Sequence, residues 1–232
     1  MKRKLLLFDV DGTLILTGGL AAGLMAEAVS RVIGSPIQWN ITDFVGNTDR
    51  SIIQTLLRRN GAIEPMLADM TENVLEMYLK NLKIKLKDNS VVQILPGVKP
   101  LLRALKKDDR FALALLTGNV EAGARIKLAK NKIIDYFPVG AFGNDALKRE
   151  YLPPFAIQRA EKHFNCFFDK KDIWIIGDSA NDIKCAQANH LRSFAVATGH
   201  TKMAELESYH PTALIPDLKD QKKFLDVILA SN

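Results

Sequence analysis

The sequence has few cysteines and no long apolar run, and both shortages narrow the class of protein. Only two cysteines, Cys166 and Cys185, stand among 232 residues, too few for a disulfide framework, so we expect a protein of the reducing cytoplasm. The apolar run at residues 5–8 ends at Asp9, too early for a secretory signal. No run approaches the roughly 18 apolar residues of a membrane span.

Aromatic residues are also sparse, at 7% of the chain, although the net charge is +6. A nucleic-acid surface interleaves its cations with aromatic side chains that stack on bases. The densest basic stretch, residues 80–87, has only Tyr78 beside it, and we expect it to be a solvated surface. We therefore expect neither nucleic acid nor a membrane as a partner, whereas a positive field would attract small anionic molecules.

Short apolar runs alternate with helical patterns over most of the chain. The runs at 5–8, 111–116, 173–176 and 194–197 each stop at a polar or glycine-containing loop. This alternation predicts an α/β fold with a doubly wound parallel sheet, which is a Rossmann-like core. Because ligands of such sheets bind beyond the carboxyl ends of the strands, we expect the polar residues there to converge.

Residues 16–93 interrupt this alternation. Three helical patterns follow one another there without a clear buried strand, at 20–32, 43–59 and 66–83. The segment is too long for one crossover between strands, so we expect an all-helical domain inserted after the first strand. The α/β core then comprises residues 1–15 and 94–232.

Carboxylates follow two of the predicted strands. Asp9 and Asp11 come directly after the first run, and two carboxylates at this spacing can face the same side with room between them for a phosphoryl group and a cation. Gly12 permits the sharp turn that presents N–H groups to an anion. After the third run, Asp178 can ligate a hard cation and Asp182 can hold the site in place. On its own, helix capping explains this second pair equally well.

A hydroxyl and a glycine follow the run at 111–116. Thr117, Gly118 and Asn119 stand at the start of a predicted helix, where a side-chain donor and free N–H groups form a phosphate site. Threonine or asparagine at this place is also a routine helix N-cap. The motif alone does not decide between these interpretations.

Together, in this order and at these strand ends, the three motifs resemble those of the haloacid dehalogenase superfamily. The resemblance covers nearly the whole chain, since 196–199 and 211–215 look like the last two strands of that family. The remaining element of the pattern is a cation before the last motif. Arg149 takes the place that lysine usually holds, with Lys148 as the alternative. The segment 16–93 is similar to the helical cap of the phosphoglycolate-phosphatase-like branch.

The resemblance implies a phosphatase that hydrolyses small phosphorylated metabolites with Mg²⁺ as its cofactor. Asp9 is then the nucleophile that forms an aspartyl-phosphate, and Asp11 is first the general acid and then the general base. The metal ligands are expected to be the Asp9 carboxylate, the Asp11 backbone carbonyl and the Asp178 carboxylate, with Asp182 behind them. Arg149 counts among the catalytic residues. The expected phosphate contacts are Gly12, Thr117, Gly118, Asn119 and Arg149.

The same residues bear on four other activities. A sugar-phosphate mutase shares the whole catalytic set and differs only in its cap, so it stays open as the alternative. A dehalogenase would need neither Asp11 as an acid nor a metal, and a phosphonate hydrolase would carry a cap lysine that residues 45–50 lack. A non-enzymatic binding protein would be expected to have lost a nucleophile or a ligand, and none is missing.

Discrimination between substrates must come from the inserted segment, because the groups above all address the phosphate. A polar break at 46–50 precedes a helix expected to begin near Ser51, and Arg50 is the candidate for the residue that reads the substrate. The alternative is a helix cap with Arg50 solvated or paired to Asp49. The four histidines have no mutual metal spacing and are expected to be structural or solvated. Neither the physiological substrate nor the oligomeric state follows from the sequence.

Overall fold

A computed structural model describes residues 3–87 and 91–230 of the chain, and in these ranges strands and helices alternate. The strands are β1 (Lys4–Phe8), β2 (Ile15–Leu16), β3 (Gln93–Ile94), β4 (Phe111–Leu116), β5 (Val139–Ala141), β6 (Ile173–Gly177), β7 (Arg192–Val196) and β8 (Ala213–Ile215). The α-helices are α1 (Leu20–Ile33), α2 (Asp49–Arg59), α3 (Glu64–Lys85), α4 (Val98–Lys106), α5 (Glu121–Ala129), α6 (Pro153–Phe164), α7 (Ala180–Ala188), α8 (Met203–Ser208) and α9 (Gln221–Ala230).

Six of these strands form one parallel sheet in the order β5-β4-β1-β6-β7-β8. Leu6 of β1 pairs with Leu113 of β4 on one side and with Trp174 of β6 on the other. The strand order therefore reverses at β1, and a crevice for a ligand is expected at the carboxyl end of that strand. The predicted parallel sheet is confirmed. The short strand β5, which contains Gly140, was not expected from the sequence.

Helices cover both faces of the sheet, as a doubly wound fold requires. Successive residues of a strand point to opposite faces. Leu5 and Leu7 pack in a buried cluster with residues of α6 and α7, whereas Leu6 and Phe8 pack in another with residues of α4, α5 and α9. Because both faces are buried, the strands read in sequence as continuous apolar runs rather than as alternating ones.

Residues 16–93, here called the helical insert, carry α1, α2 and α3, which share a separate buried cluster. The antiparallel pair β2–β3 lies at its base, with Ile15 opposite Ile94. The helix expected at 43–59 is wrong at its start, because residues Ile41–Asp43 form a 3₁₀ turn and α2 begins at Asp49. Between them Gly46 has a φ of 68°, outside the helical region. Throughout the described ranges, no helix is long and apolar enough to cross a membrane.

Candidate active site

A cavity of about 250 Å³ lies between the carboxyl edge of the sheet and the helical insert. It is lined by the predicted site residues of all three strand ends, and of those residues only Asp182 and Arg50 lie outside its lining. His200, expected to be structural or solvated, is exposed and contributes to the lining. Parallel strands present their carboxyl ends at one edge, which is why motifs far apart in sequence meet there.

Asp9 is the first residue after β1 and lies at the centre of this edge. Its N–H donates to the carbonyl of Ile176 over 2.9 Å, which continues the β1–β6 ladder and holds the backbone in place. The side chain is buried, and its Oδ1 is 2.9 Å from Nη2 of Arg149. Burial raises the pKa of Asp9 to about 6, against the opposing effect of Arg149.

Arg149 begins a 3₁₀ helix just before α6 and is buried, whereas Lys148 beside it is exposed. Its Nη2 also donates to Asp182 Oδ1 over 2.5 Å and to the Leu116 carbonyl over 3.2 Å. Burial opposes the charge of Arg149, but the neighbouring carboxylates of Asp182 and Asp9 raise its pKa. Of the two cations considered from the sequence, the structure brings Arg149 to the site.

Asp178 follows β6 and is buried beside the loop that contains Gly12. Its Oδ1 accepts a hydrogen bond of 3.0 Å from the Thr13 hydroxyl. Gly12 has a φ of 84°, and a Cβ there would overlap the Asp178 carboxylate, so a side chain is excluded for two reasons. Burial, and then the charge of Asp9, raise the pKa of Asp178 well above its usual value.

Three buried carboxylates, those of Asp9, Asp178 and Asp182, have oxygen atoms within 4.8 Å of one another. Asp182 is already engaged, because it accepts hydrogen bonds from the N–H and hydroxyl of Ser179 at the start of α7 and from Arg149. Asp9 and Asp178 are thus the pair with oxygen atoms to offer, and burial raises the pKa of both carboxyl groups. This donor set fits a hard divalent cation.

Asp11 faces the cavity with a side chain that is 39% exposed, and two neighbours hold it. The Asn119 amide donates to Asp11 Oδ2 over 2.7 Å, and Lys127 Nζ donates to the same oxygen over 2.7 Å. Lys127 also donates to Asn119 Oδ1 over 2.6 Å, which closes a three-membered network. The Asn119 side chain, expected to contact phosphate, is therefore engaged with Asp11 and Lys127.

Lys127 was missed by the sequence analysis. It lies on α5 with 3% exposure, and burial opposes its charge while the neighbouring Asp11 raises its pKa. The signal that could have found it is the phase of α5. Lys127 falls on the same face as the buried Ala124 and Leu128, where a lysine is out of place unless its charge is paired.

The loop after β4 meets the helical insert at close range. The Thr117 hydroxyl is fully buried and accepts hydrogen bonds from the N–H and the amide of Asn119. The carbonyl of Gly118 accepts a bond of 2.8 Å from the N–H of Asp49. A Cβ on Gly118 would overlap the backbone of Asn47, so this approach of the insert requires glycine.

Asp49, rather than Arg50, turns toward the core. The Asp49 carboxylate is buried and accepts a hydrogen bond of 2.8 Å from the N–H of Val120, and burial raises its pKa to about 6. Arg50 instead pairs with Glu72 of α3 over 2.6 Å and does not line the cavity. In this structure Arg50 therefore does not reach the cavity, and its contact with the substrate stays a prediction. Thr48 is the N-cap of α2, so Asp49 and Arg50 are the first two residues of this helix and point in directions about 100° apart.

Buried carboxylates and a paired arginine lie at the strand ends of this doubly wound sheet, where the strand order reverses at β1. These features define an α/β enzyme with a polar site at that reversal. The chain belongs to the haloacid dehalogenase-like hydrolase family, whose model matches residues 6–196. The resemblance noted from the sequence is thereby confirmed.

Two curated relatives align over almost their whole length. A phosphoglycolate phosphatase of Vibrio vulnificus (strain YJ016) is 28% identical over 98% of this chain and 97% of its own. One of Nitrosospira multiformis is 25% identical over 96% and 95%. Together with the family match, these relatives indicate a phosphoric monoester hydrolase.

Solved structures show the same fold. A predicted phosphoglycolate phosphatase from Haemophilus somnus has a TM-score of 0.71 at 21% identity and covers 97% of this chain and 99% of its own. A β-phosphoglucomutase from Clostridium difficile has a TM-score of 0.73 at 15% identity, with coverages of 99% and 98%. At these identities the likeness concerns the fold alone.

Proposed function

We propose that the protein is a Mg²⁺-dependent phosphatase of small phosphomonoesters, with Asp9 as its nucleophile. The observation that carries this proposal is the pairing of two carboxylates with different surroundings at the end of β1. Asp9 is buried against Arg149, while Asp11 reaches the cavity and is held by Lys127 and Asn119. The names of the curated relatives support the same reaction class.

In the first step the Asp9 carboxylate attacks phosphorus, and the bond between phosphorus and the alcohol oxygen breaks. Asp11 gives its proton to that oxygen, so that a neutral alcohol leaves and an aspartyl-phosphate remains on Asp9. The two hydrogen bonds to Asp11 Oδ2 restrict the rotation of the carboxyl group and keep it directed at the leaving oxygen.

In the second step water attacks the phosphorus of the aspartyl-phosphate. Asp11, now a carboxylate, takes a proton from that water, inorganic phosphate leaves, and the Asp9 carboxylate is restored. The Arg149 guanidinium, the Thr117 hydroxyl and the N–H groups of Gly12 and Gly118 would stabilise the phosphoryl oxygens, where charge gathers in the transition state.

The carboxylates of Asp9 and Asp178 and the backbone carbonyl of Asp11 would hold Mg²⁺. When bound, the ion supplies positive charge that offsets the repulsion between an anionic nucleophile and a dianionic phosphate. This role agrees with the crowding of buried carboxylates at the site, where Asp9 pairs with Arg149.

The helical insert would act as a cap over this site. It meets the core through Thr48, whose hydroxyl donates to the Leu147 carbonyl over 2.6 Å, and through Asp49. Asn181 adds a bond of 3.3 Å to the carbonyl of Val45. A cap in this position limits the access of bulk water to the reacting groups and strengthens their electrostatic interactions.

The proposal is tested by phosphate release from p-nitrophenyl phosphate, with Mg²⁺ and with EDTA. Wild type should turn over only with the metal, and Asp9→Asn should abolish turnover while the thermal transition stays nearly unchanged. The matched control is Asp69→Asn, because Asp69 is an exposed carboxylate on α3 that lies outside the cavity lining. Activity of Asp9→Asn within tenfold of wild type would contradict the assignment, and full activity in EDTA would contradict the metal.

A further inference from the structure

The side of the cavity that the helical insert provides is largely apolar. Its side chains come from α1, from the segment between α1 and α2, from α2 itself and, through Tyr78, from α3. The main contributors, here called the insert wall, are Ala21, Ala22, Met25, Ile41, Phe44 and Ile52. This wall faces the catalytic carboxylates and therefore surrounds the part of a substrate that leaves with the alcohol oxygen.

The cationic side chains of the cavity are committed to other groups. Among the described residues, the lysine and arginine of the lining are Lys127 and Arg149, and both belong to the core. Lys127 is paired with Asp11, and Arg149 is paired with Asp9 and Asp182. A second anionic group on the substrate would have to compete with these carboxylates for a lysine or arginine. The other basic side chain of the described lining is His200, which is exposed.

The one charged residue that the described part of the insert contributes to the lining is an acid, Asp49. It is buried, and its Oδ2 accepts a bond from the Val120 N–H. The first turn of α1 also lines the cavity, and no side chain caps this helix at Gly19. The N–H groups of a helix end can bind a carboxylate. Without a cationic side chain, however, they stabilise it by less than the free energy that its removal from water costs. An apolar group, in contrast, gains from contact with the wall.

We propose that the natural substrate carries a small uncharged, mainly apolar leaving group, and that 2-phosphoglycolate is a poor substrate. The inference rests on the proposed phosphatase activity and concerns only the part of the substrate beyond the phosphate. The cavity volume of about 250 Å³ restricts that part to a small molecule. The preference therefore differs from the one that the names of the curated relatives indicate.

The test compares substrates that differ in one charge. With Mg²⁺ present, kcat/KM is measured for 2-phosphoglycolate, for its neutral amide and for n-propyl phosphate, with p-nitrophenyl phosphate as the reference. We expect kcat/KM for the amide and for the propyl ester to exceed that for 2-phosphoglycolate by about tenfold or more. A tenfold ratio corresponds to only a modest difference in binding free energy. A kcat/KM for 2-phosphoglycolate equal to or above that of its amide would overturn the inference and leave the phosphatase intact. No phosphate release from any substrate would overturn both.

A second measurement changes the insert wall. Phe44 is half-buried in the segment before α2, where it packs against the insert cluster and edge-on against Trp39. Phe44→Arg places a guanidinium in the wall at some cost in packing. This variant should raise the ratio of kcat/KM for 2-phosphoglycolate to that for its amide by about tenfold. Phe44→Leu, which keeps the wall apolar, should leave the ratio as in wild type. Thermal unfolding checks that each variant is folded, and Val45→Arg replaces Phe44→Arg if it is not. An unchanged ratio in a folded arginine variant would refute the role of the wall.

Discussion

The buried carboxylate of Asp49 allows a quantitative test of how the helical insert meets the core. Asp49→Asn replaces one oxygen by an amide nitrogen and keeps the size of the side chain. The remaining amide oxygen can still accept the hydrogen bond from the Val120 N–H. The substitution therefore removes the charge while it preserves the contact, and its effect on stability reports the cost of burying that charge.

The magnitude follows from the pKa of Asp49. Burial raises this pKa from 3.8 to about 6, although Lys127 and the Val120 N–H oppose the change. Between these two values the folded protein binds a proton that the unfolded chain does not bind, so the free energy of unfolding of wild type falls as pH rises. At about 1.4 kcal/mol per pH unit, the cost above pH 6 is about 3 kcal/mol. Asp49→Asn lacks this cost.

The assay is urea unfolding of both proteins between about pH 4 and about pH 7. The stability of Asp49→Asn relative to wild type should rise by up to about 3 kcal/mol across this range. Asp43→Asn is a control of opposite sign, because hydrogen bonds from Arg59 and from the Asn40 N–H lower the pKa of Asp43. Its loss of stability should be nearly constant across this range and should shrink only in more acidic solution, below the ordinary pKa of 3.8. A difference between Asp49→Asn and wild type that is constant, or largest in acid, would refute the reasoning.

Three further predictions concern the catalytic groups. Lys127→Met should lower kcat/KM for alkyl phosphates by roughly 10²-fold, and less for p-nitrophenyl phosphate, whose leaving group needs little help from Asp11; equal losses would argue against a role in positioning the acid. Arg149→Ala should abolish activity and Arg149→Lys should restore part of it, whereas Lys148→Ala should have little effect; the reverse pattern in steady-state kinetics would place the cation at Lys148. Asp178→Asn should raise the Mg²⁺ concentration that gives half-maximal rate by tenfold or more, and an unchanged metal titration would remove Asp178 from the ligands.

The sheet and most of the site could be predicted because their signals are local. A strand buried on both faces must be apolar throughout, so the runs at 5–8 and 111–116 are visible without any partner. A carboxylate that ends such a run stands out, because it follows directly on residues that avoid charge. Asp9 and Asp178 were found in this way, and parallel strands carried them to the same edge.

Other features are set by contacts that leave no local trace. Strand β5 is three residues long and contains Gly140, so neither length nor composition distinguishes it from a loop. The choice between Lys148 and Arg149 depends on which of two adjacent side chains turns inward from a 3₁₀ helix. A rotation of this 3₁₀ helix by one residue would expose Arg149, the buried partner of Asp9, and turn Lys148 inward.

The sequence by itself determined the fold class, the order of the motifs and the chemistry of the strand ends, because periodicity and strand termination are properties of neighbouring residues. Only the tertiary structure decided how Asp11 is held and which side chains line the cavity. Lys127 reaches Asp11 across 116 positions, and the start of α2 turns Asp49 to the core and Arg50 to Glu72. Such pairings depend on the phase of one helix against another element, and that phase is fixed by packing rather than by any residue's own neighbours.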